Sequence, residues 1–443
     1  MDAIFPFCAE AAHINANGIS PHYFYRDRLN ETFLKTELST SEGEKVVVRD
    51  HSELKIHEIN PDNCSAPYHL TVCALNLAGS WRLQNKDRQS RHFLFSKHYT
   101  GSKTTGYAET RKYRTKQRNE ETNKEEFGLT KYSRAIAISG AAFASAVGHV
   151  SFFALTFLMT ILNVRLGLWM VTPKKYKNKT SKADPMLSTE LHDLRAAKSF
   201  FSPFWLSYLW DEATNNVSER RDLINISDGG HTGDNGAIYP LLERRCKLII
   251  VGDASADPKG SCTDLYRAIR MARTDLGVDV IIDTDNLEPD KKTGLSKKHY
   301  AIGKIFYPEA DGSKGFTGWL VYLKPTITKA DRGEIKGYYA SHPKMYPHPT
   351  TADQWFDEWQ FEAQRLLGEE SAKVMLTEWL GIIKGKQDKS SKDREDKSLE
   401  ENLKKISESL FNKPDFDKRF KELMEKASLH QEDITASQDE KED

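Results

Sequence analysis

The stretch Ile224–Pro258, INISDGGHTGDNGAIYPLLERRCKLIIVGDASADP, holds two short apolar runs that each lead into an aspartate beside glycine. Ile224–Ile226 leads into Asp228-Gly229-Gly230, and Leu248–Val251 into Gly252-Asp253. Short apolar runs bounded by turn residues read as buried strands. Val278–Ile282 (VDVII) is a further strand, and Cys262–Leu276 (CTDLYRAIRMARTDL) reads as a helix before it. Strand, helix and strand in that order predict a parallel βαβ unit. The expected fold class is therefore α/β, with a central, mostly parallel sheet flanked by helices. A carboxylate at a strand's carboxyl end lies where such folds build their sites, which makes Asp228 the first candidate. Gly229 and Gly230 let the backbone turn sharply and let a second segment approach closely. Asp-Gly is also a common turn dipeptide, so a capping or turn role for Asp228 stands beside the catalytic one.

Working outward, Pro67–Leu77 (PYHLTVCALNL) and His92–Phe95 (HFLF) read as strands, and residues 108–131, dense in Lys, Arg, Glu and Thr, as a solvated loop. Ala135–Ile138 (AIAI) reads as a strand that turns at Ser139-Gly140 into a long apolar helix. The core of that helix, Val150–Leu162, has 13 residues. A membrane span needs roughly 20, so a buried core helix is the expectation. Tyr300–Phe306 and Gly318–Leu323 look like an antiparallel pair at a sheet edge. Thr350 and Thr351 cap a helix from Asp353 to about Ile383, with Trp355, Phe356, Trp359, Leu366 and Leu367 as its apolar face. Beyond Lys384 glycine nearly vanishes and charge dominates, the mark of a solvated tail. Leu399, Leu403, Ile406 and Leu410 keep helical spacing there, as do Phe416, Phe420 and Leu423, with Pro414 between the two sets. The expected division is a folded domain over 1–383 and a charged, partly helical tail over 384–443.

Lys+Arg and Asp+Glu are both 64, so no basic excess points to nucleic acid. A hydrophobic share of 38% against 29% charged implies that part of the chain is unpacked. Cys8, Cys64, Cys73, Cys246 and Cys262 are scattered with no C-x-x-C. That argues against a disulfide scaffold or a cysteine zinc site and for a reducing, cytoplasmic compartment. The start, MDAIFPFCAEAAHINANG, lacks the basic and apolar regions of a secretory signal. No cluster has metal-ligand spacing, Asp253 and Asp257 reading as turn aspartates, so neither metal nor cofactor is expected. Arg244, Arg245 and Lys247 stand beside a strand start, either against lipid headgroups or covering a sheet edge.

Nine blocks carry a family resemblance, in this order: Pro21–Leu29, Ala66–Leu77, Ala137–Ala142, Asn163–Trp169, Ser227–Asn235, Leu248–Pro258, His299–Ile305, Tyr322–Thr328 and His348–Glu362. Together they resemble the bacterial patatin-like and cytosolic phospholipase A-type acyl hydrolases, over nearly all of the chain before the charged tail. The resemblance implies a Ser–Asp dyad acting on lipid or phospholipid esters. Its serine stands in Gly-x-Ser-x-Gly on a strand-to-helix elbow, and a glycine-rich loop donates N–H groups to the oxyanion. The aspartate of Asp-Gly-Gly takes the serine proton, because a hydroxyl needs a base within hydrogen-bond reach. Asp228 matches that aspartate, with Gly229 and Gly230 supporting the turn.

This chain departs from the pattern in having neither Gly-x-Ser-x-Gly nor a Gly-Gly-Gly loop. In the family both precede the matched region. The chain is expected to be the carboxyl-terminal part of such an enzyme, its serine supplied by an upstream segment or a partner chain. The alternative is an inactive homologue that serves as an interaction or scaffold protein. Ser139, between small residues, reads either as an elbow serine or as part of a tight packing turn or a helix cap. His231 either orients Asp228 or contacts a phosphate, or it is a hydrogen-bonded structural histidine. A peripheral role at a membrane surface fits a lipid substrate.

Overall fold

The computed structural model describes residue 17 and residues 20–39, 46–59, 67–118, 125–141, 166–174, 205–310, 312–349 and 356–378. The apolar run Val150–Leu162 and the tail over 384–443 lie outside them. Helices are α1 (His22–Phe33), α2 (Leu83–Arg88), α3 (Tyr132–Ser139), α4 (Trp205–Ala213), α5 (Ile238–Glu243), α6 (Thr263–Leu276), α7 (Gly333–Ser341) and α8 (Glu358–Glu378). Strands before residue 130 are β1 (Lys35–Ser39), β2 (Val46–Asp50), β3 (Leu70–Asn76), β4 (Ser90–Ser96), β5 (Tyr99–Ser102), β6 (Gly106–Glu109), β7 (Arg114–Arg118) and β8 (Glu125–Leu129). After it come β9 (Leu168–Val171), β10 (Leu223–Asp228), β11 (Leu248–Gly252), β12 (Asp279–Ile282), β13 (Tyr300–Tyr307) and β14 (Phe316–Leu323). The fold is mixed α/β.

Two compact units divide the chain. The first takes the described residues of Met1–Val251, Cys262–Ile281 and Gly303–Leu320, and the second those of Gly252–Ser261, Ile282–Ile302 and Val321–Asp443. The first holds a six-stranded sheet in the order β6-β5-β4-β3-β10-β9. All five of its pairings are antiparallel, which corrects the mostly parallel sheet expected from the sequence. The short links from β4 to β5 and from β5 to β6 are the reason. They reverse the chain, whereas parallel neighbours need a long crossover.

Strand alternation gives this sheet two faces. Cys73 and Leu75, Phe93 and Phe95, Leu168 and Met170, and Ile224 and Ile226 make one buried apolar face, and Ala135 and Ile138 of α3 pack on it. Ala135–Ile138, expected as a strand, is helical because its three-residue spacing sets both side chains on that face. Asn225 and Ser227 point to the opposite face, where Asn76 Nδ2 donates to both. The stretch expected as a solvated loop contains β7 and β8, an antiparallel pair.

A four-stranded sheet has the order β11-β14-β13-β12. β13 and β14 are neighbours as expected, but they take the two middle places rather than an edge. β11 and β12, the strands of the expected βαβ unit, therefore take the outer places and are not adjacent. In the second unit, Leu366 and Leu367 of α8 pack against Ile335 and Tyr346. Trp359 and Phe356, expected on the same apolar face, are exposed, and Trp355 lies outside the described residues.

Candidate active site around Asp228

Asp228 ends β10 on the same face as Ile224 and Ile226, and stands directly opposite Cys73 of β3. The strand period therefore aims a carboxylate into the apolar face under α3. The chain leaves β10 through a one-turn 3-10 helix, Gly229–Thr232. Gly230 N–H donates to Asp228 Oδ1 at 2.6 Å, so the capping role is real. Asp228 Oδ2 has no hydrogen-bond partner among the described residues.

Gly229 is required by contact with backbone, whereas Gly230 is crowded by a side chain. A Cβ on Gly229 would stand 2.7 Å from the Val72 carbonyl oxygen, and one on Gly230 would stand 2.2 Å from Asn235 Oδ1.

Burial pushes the Asp228 carboxyl up to about 6, against the Gly230 N–H, which pulls it down. Burial disfavours the charged form, and the lift stands because no cation offsets it. The carboxylate in turn acts on its neighbours. Burial and then the Asp228 charge raise the Cys73 thiol well above its ordinary value, and both raise the Tyr25 hydroxyl as well.

Ser139 is the last residue of α3, where the expected elbow would place a strand before the serine. Its Oγ donates to the Val72 carbonyl at 2.7 Å. Tyr25, on α1, donates to the Gly140 carbonyl at 2.9 Å. Asp228, Cys73, Ser139 and Tyr25 thus gather around the α3 end of the sheet. Tyr25 and Cys73 escaped the sequence reading, although both lie in blocks already quoted, because strand register and helix docking join them.

His231 is hydrogen-bonded within the first unit. Its Nδ1 is 2.8 Å from Ser227 Oγ, and its carbonyl accepts from Ser90 Oγ at 3.1 Å. Asp234 caps α5 and also meets His92, whose Nε2 lies 3.1 Å from Asp234 Oδ2. Its carboxylate accepts from the backbone N–H groups of Ile238 and Tyr239, both at 2.8 Å. Arg245 donates to the Pro308 carbonyl and lies over the Tyr307 and Phe316 rings, a position that covers the sheet.

The second unit buries charge differently. Asp253 and Lys324 pair at 3.3 Å, each side chain 2% exposed. Asp253 also accepts from the Ser255 N–H and the Tyr322 hydroxyl. Lys324 donates to the Ser255 carbonyl and hydroxyl. Asp253 is therefore half of a buried ion pair and more than a turn residue. His299 Nε2 meets Asp331 Oδ1 at 2.8 Å, both buried. Burial opposes the shift, yet bonds from His299 and Thr328 hold the Asp331 carboxyl below its ordinary value. Asp257 accepts from Ser261, and its N–H donates to His348 Nδ1. Among the described residues, no group of three or more His, Cys, Asp or Glu is placed to hold a metal ion, and no helix is long and apolar enough to cross a membrane.

Comparison of the chain with family models, curated proteins and solved structures finds no match. The resemblance to patatin-like hydrolases therefore stands on the nine sequence blocks alone.

Proposed function

We propose that Asp228 is the general base of a patatin-like lipid acyl hydrolase. It would take the proton of a serine carried by a Gly-x-Ser-x-Gly segment or partner chain. One observation carries the reading: a partly buried carboxylate at a strand end has one oxygen fixed by Gly230, the other without a protein partner, and no opposing cation among the described residues. A base whose pKa is raised toward neutrality holds a proton well enough to accept it and still gives it up.

Ser139 is a poor nucleophile in this setting. It stands at the carboxyl end of α3, where the helix dipole is negative and opposes a developing alkoxide. Its proton is already committed to the Val72 carbonyl. Ser139 is read as a positioning residue that ties α3 to β3 beside Asp228. The substrate class, lipid or phospholipid esters, comes from the sequence resemblance, and a peripheral membrane position goes with it.

Fluorophosphonate labelling tests the proposal, because the probe marks activated serines directly. The expected result is a labelled serine in a Gly-x-Ser-x-Gly segment of the assembled protein, lost in Asp228→Asn. Ser139 stays unlabelled, and the chain alone hydrolyses short-chain and phospholipid esters weakly at most. Labelling that ignores Asp228→Asn would defeat the base role, and labelling of Ser139 would make Ser139 the nucleophile. No labelling in any assembly would favour the second reading, an interaction or scaffold protein that keeps the fold.

A further inference from the structure

A cleft of about 280 Å³ in the first unit opens between the Gly229–Thr232 turn and α6. Arg267 and Arg270 of α6 line one wall, on one helix face at three-residue spacing. Arg88, at the end of α2, and Arg91, on β4, line the other. Thr232, the last residue of the turn that Asp228 opens, also lines it.

The guanidiniums outnumber the acids that face them. Asp87 and Asp275 are the carboxylates in the lining. Asp275 is shared: Arg91 reaches it at 2.7 Å, and Arg88 pairs with it through both of its oxygens. Arg267 meets Asp264 at 3.3 Å, outside the lining. Arg270 is exposed, and its side chain has no hydrogen-bond or ion-pair partner among the described residues. With Asp264 counted, four guanidiniums face three carboxylates, so positive charge is left over at the mouth. The cleft is also built: Gly233 has φ +77°, and a Cβ there would stand 2.3 Å from Arg267 Cδ. Glycine is what lets that arginine lie against the turn.

We propose that this cleft binds the phosphate group of a phosphate ester, either free in solution or as the headgroup of a phospholipid. Arginine forks on facing walls suit a tetrahedral group with several acceptor oxygens, which a point ammonium or a single donor would hold less well. The volume lies just below the usual range for ligand pockets, roughly 300–1,000 Å³, which suits a headgroup rather than a whole lipid. The proposal goes beyond the hydrolytic reading and stands without it, because binding is read with no turnover.

Calorimetry of the full chain with inorganic phosphate and glycerol 3-phosphate, against sodium chloride at matched ionic strength, is the first arm. Sedimentation with phosphatidylcholine vesicles, with and without phosphatidic acid, is the second. Arg270→Ala is the key variant, since an exposed, unpartnered side chain can be removed without disturbing the fold. Arg270→Lys keeps the charge and loses the fork, and Arg332→Ala, outside the cleft, is the control for general charge. The expected result is binding of a phosphate probe that weakens about tenfold or more in Arg270→Ala and partly recovers in Arg270→Lys. Binding of the soluble esters assigns a free phosphate ester, and Arg270-dependent binding of vesicles alone assigns a lipid headgroup. Failure of every phosphate probe, or equal weakening in Arg332→Ala, overturns the site.

Discussion

Asp228 in the first unit and Asp253 in the second both stand at the carboxyl end of a strand, and both follow an apolar run. What faces them differs. Asp253 meets the Lys324 ammonium, the Tyr322 hydroxyl and the Ser255 N–H, in a cluster where both charged side chains are 2% exposed. Asp228 has a single N–H, from Gly230, and no cation among the described residues. A strand-end aspartate is thus no site in itself. An ion pair closed on all sides holds structure, and a partly buried carboxylate with one oxygen free of protein partners keeps capacity for a proton.

The strongest way to break the comparison is to make Asp253 resemble Asp228. Lys324→Met removes the only cation paired with Asp253 among the described residues. It should destabilise the protein by about 3–5 kcal/mol, because it leaves a buried charge uncompensated. Denaturant unfolding at pH 8 reads the loss. Most of the loss should return in the double variant with Asp253→Leu. A loss that is small, or that the double variant does not recover, would remove the contrast between the two aspartates.

The next effect has the opposite sign. Asp228 titrates near 3.8 when unfolded and near 6 in the fold. Its raised pKa stabilises the fold fully below about pH 3.8, and that contribution is lost as pH rises through 6. Asp228→Asn keeps an oxygen for the Gly230 N–H and removes the charge. It should stabilise the protein above pH 7 by up to about 3 kcal/mol. The difference between variant and wild-type stability should be flat below about pH 4 and rise to a plateau above pH 6. Buried His22 in the same unit slopes the other way: burial, with Arg134 and Arg26 nearby, pushes its imidazole down to about 3, so stability falls as acid protonates the unfolded chain. The difference curve cancels His22, which absolute stabilities would not. A variant less stable than wild type at neutral pH would return Asp228 to the structural class.

The sequence made Asp228 legible because a strand followed by Asp-Gly-Gly is a local signal. The strands around Ile224, Leu248 and Val278 and the helix Thr263–Leu276 were legible for the same reason. Pairing was not. β10 lies between β3 and β9 through contacts about 150 and 50 residues apart in the chain, and no short-range pattern records that. Ala135–Ile138 shows the other limit: four apolar residues fit either period, and packing on the sheet decided for helix. The charge partners were equally hidden. Nothing near Asp253 announces Lys324, 71 residues away, and nothing near Asp228 announces Tyr25.

The smallest effect sharpens the reading of Ser139. Ser139→Ala removes the hydroxyl that donates to the Val72 carbonyl, in the same backbone stretch that crowds Gly229. Losing one such bond should cost about 1 kcal/mol, read by thermal or denaturant unfolding. The change runs opposite to that of Asp228→Asn, although the two residues share one end of the sheet. Fluorophosphonate labelling should be unchanged, since a residue that positions Asp228 through the backbone leaves the base in place. A stability loss together with lost labelling would move Ser139 from support to chemistry. The Asp228 base would then act within this chain, and no serine from a further segment would be needed.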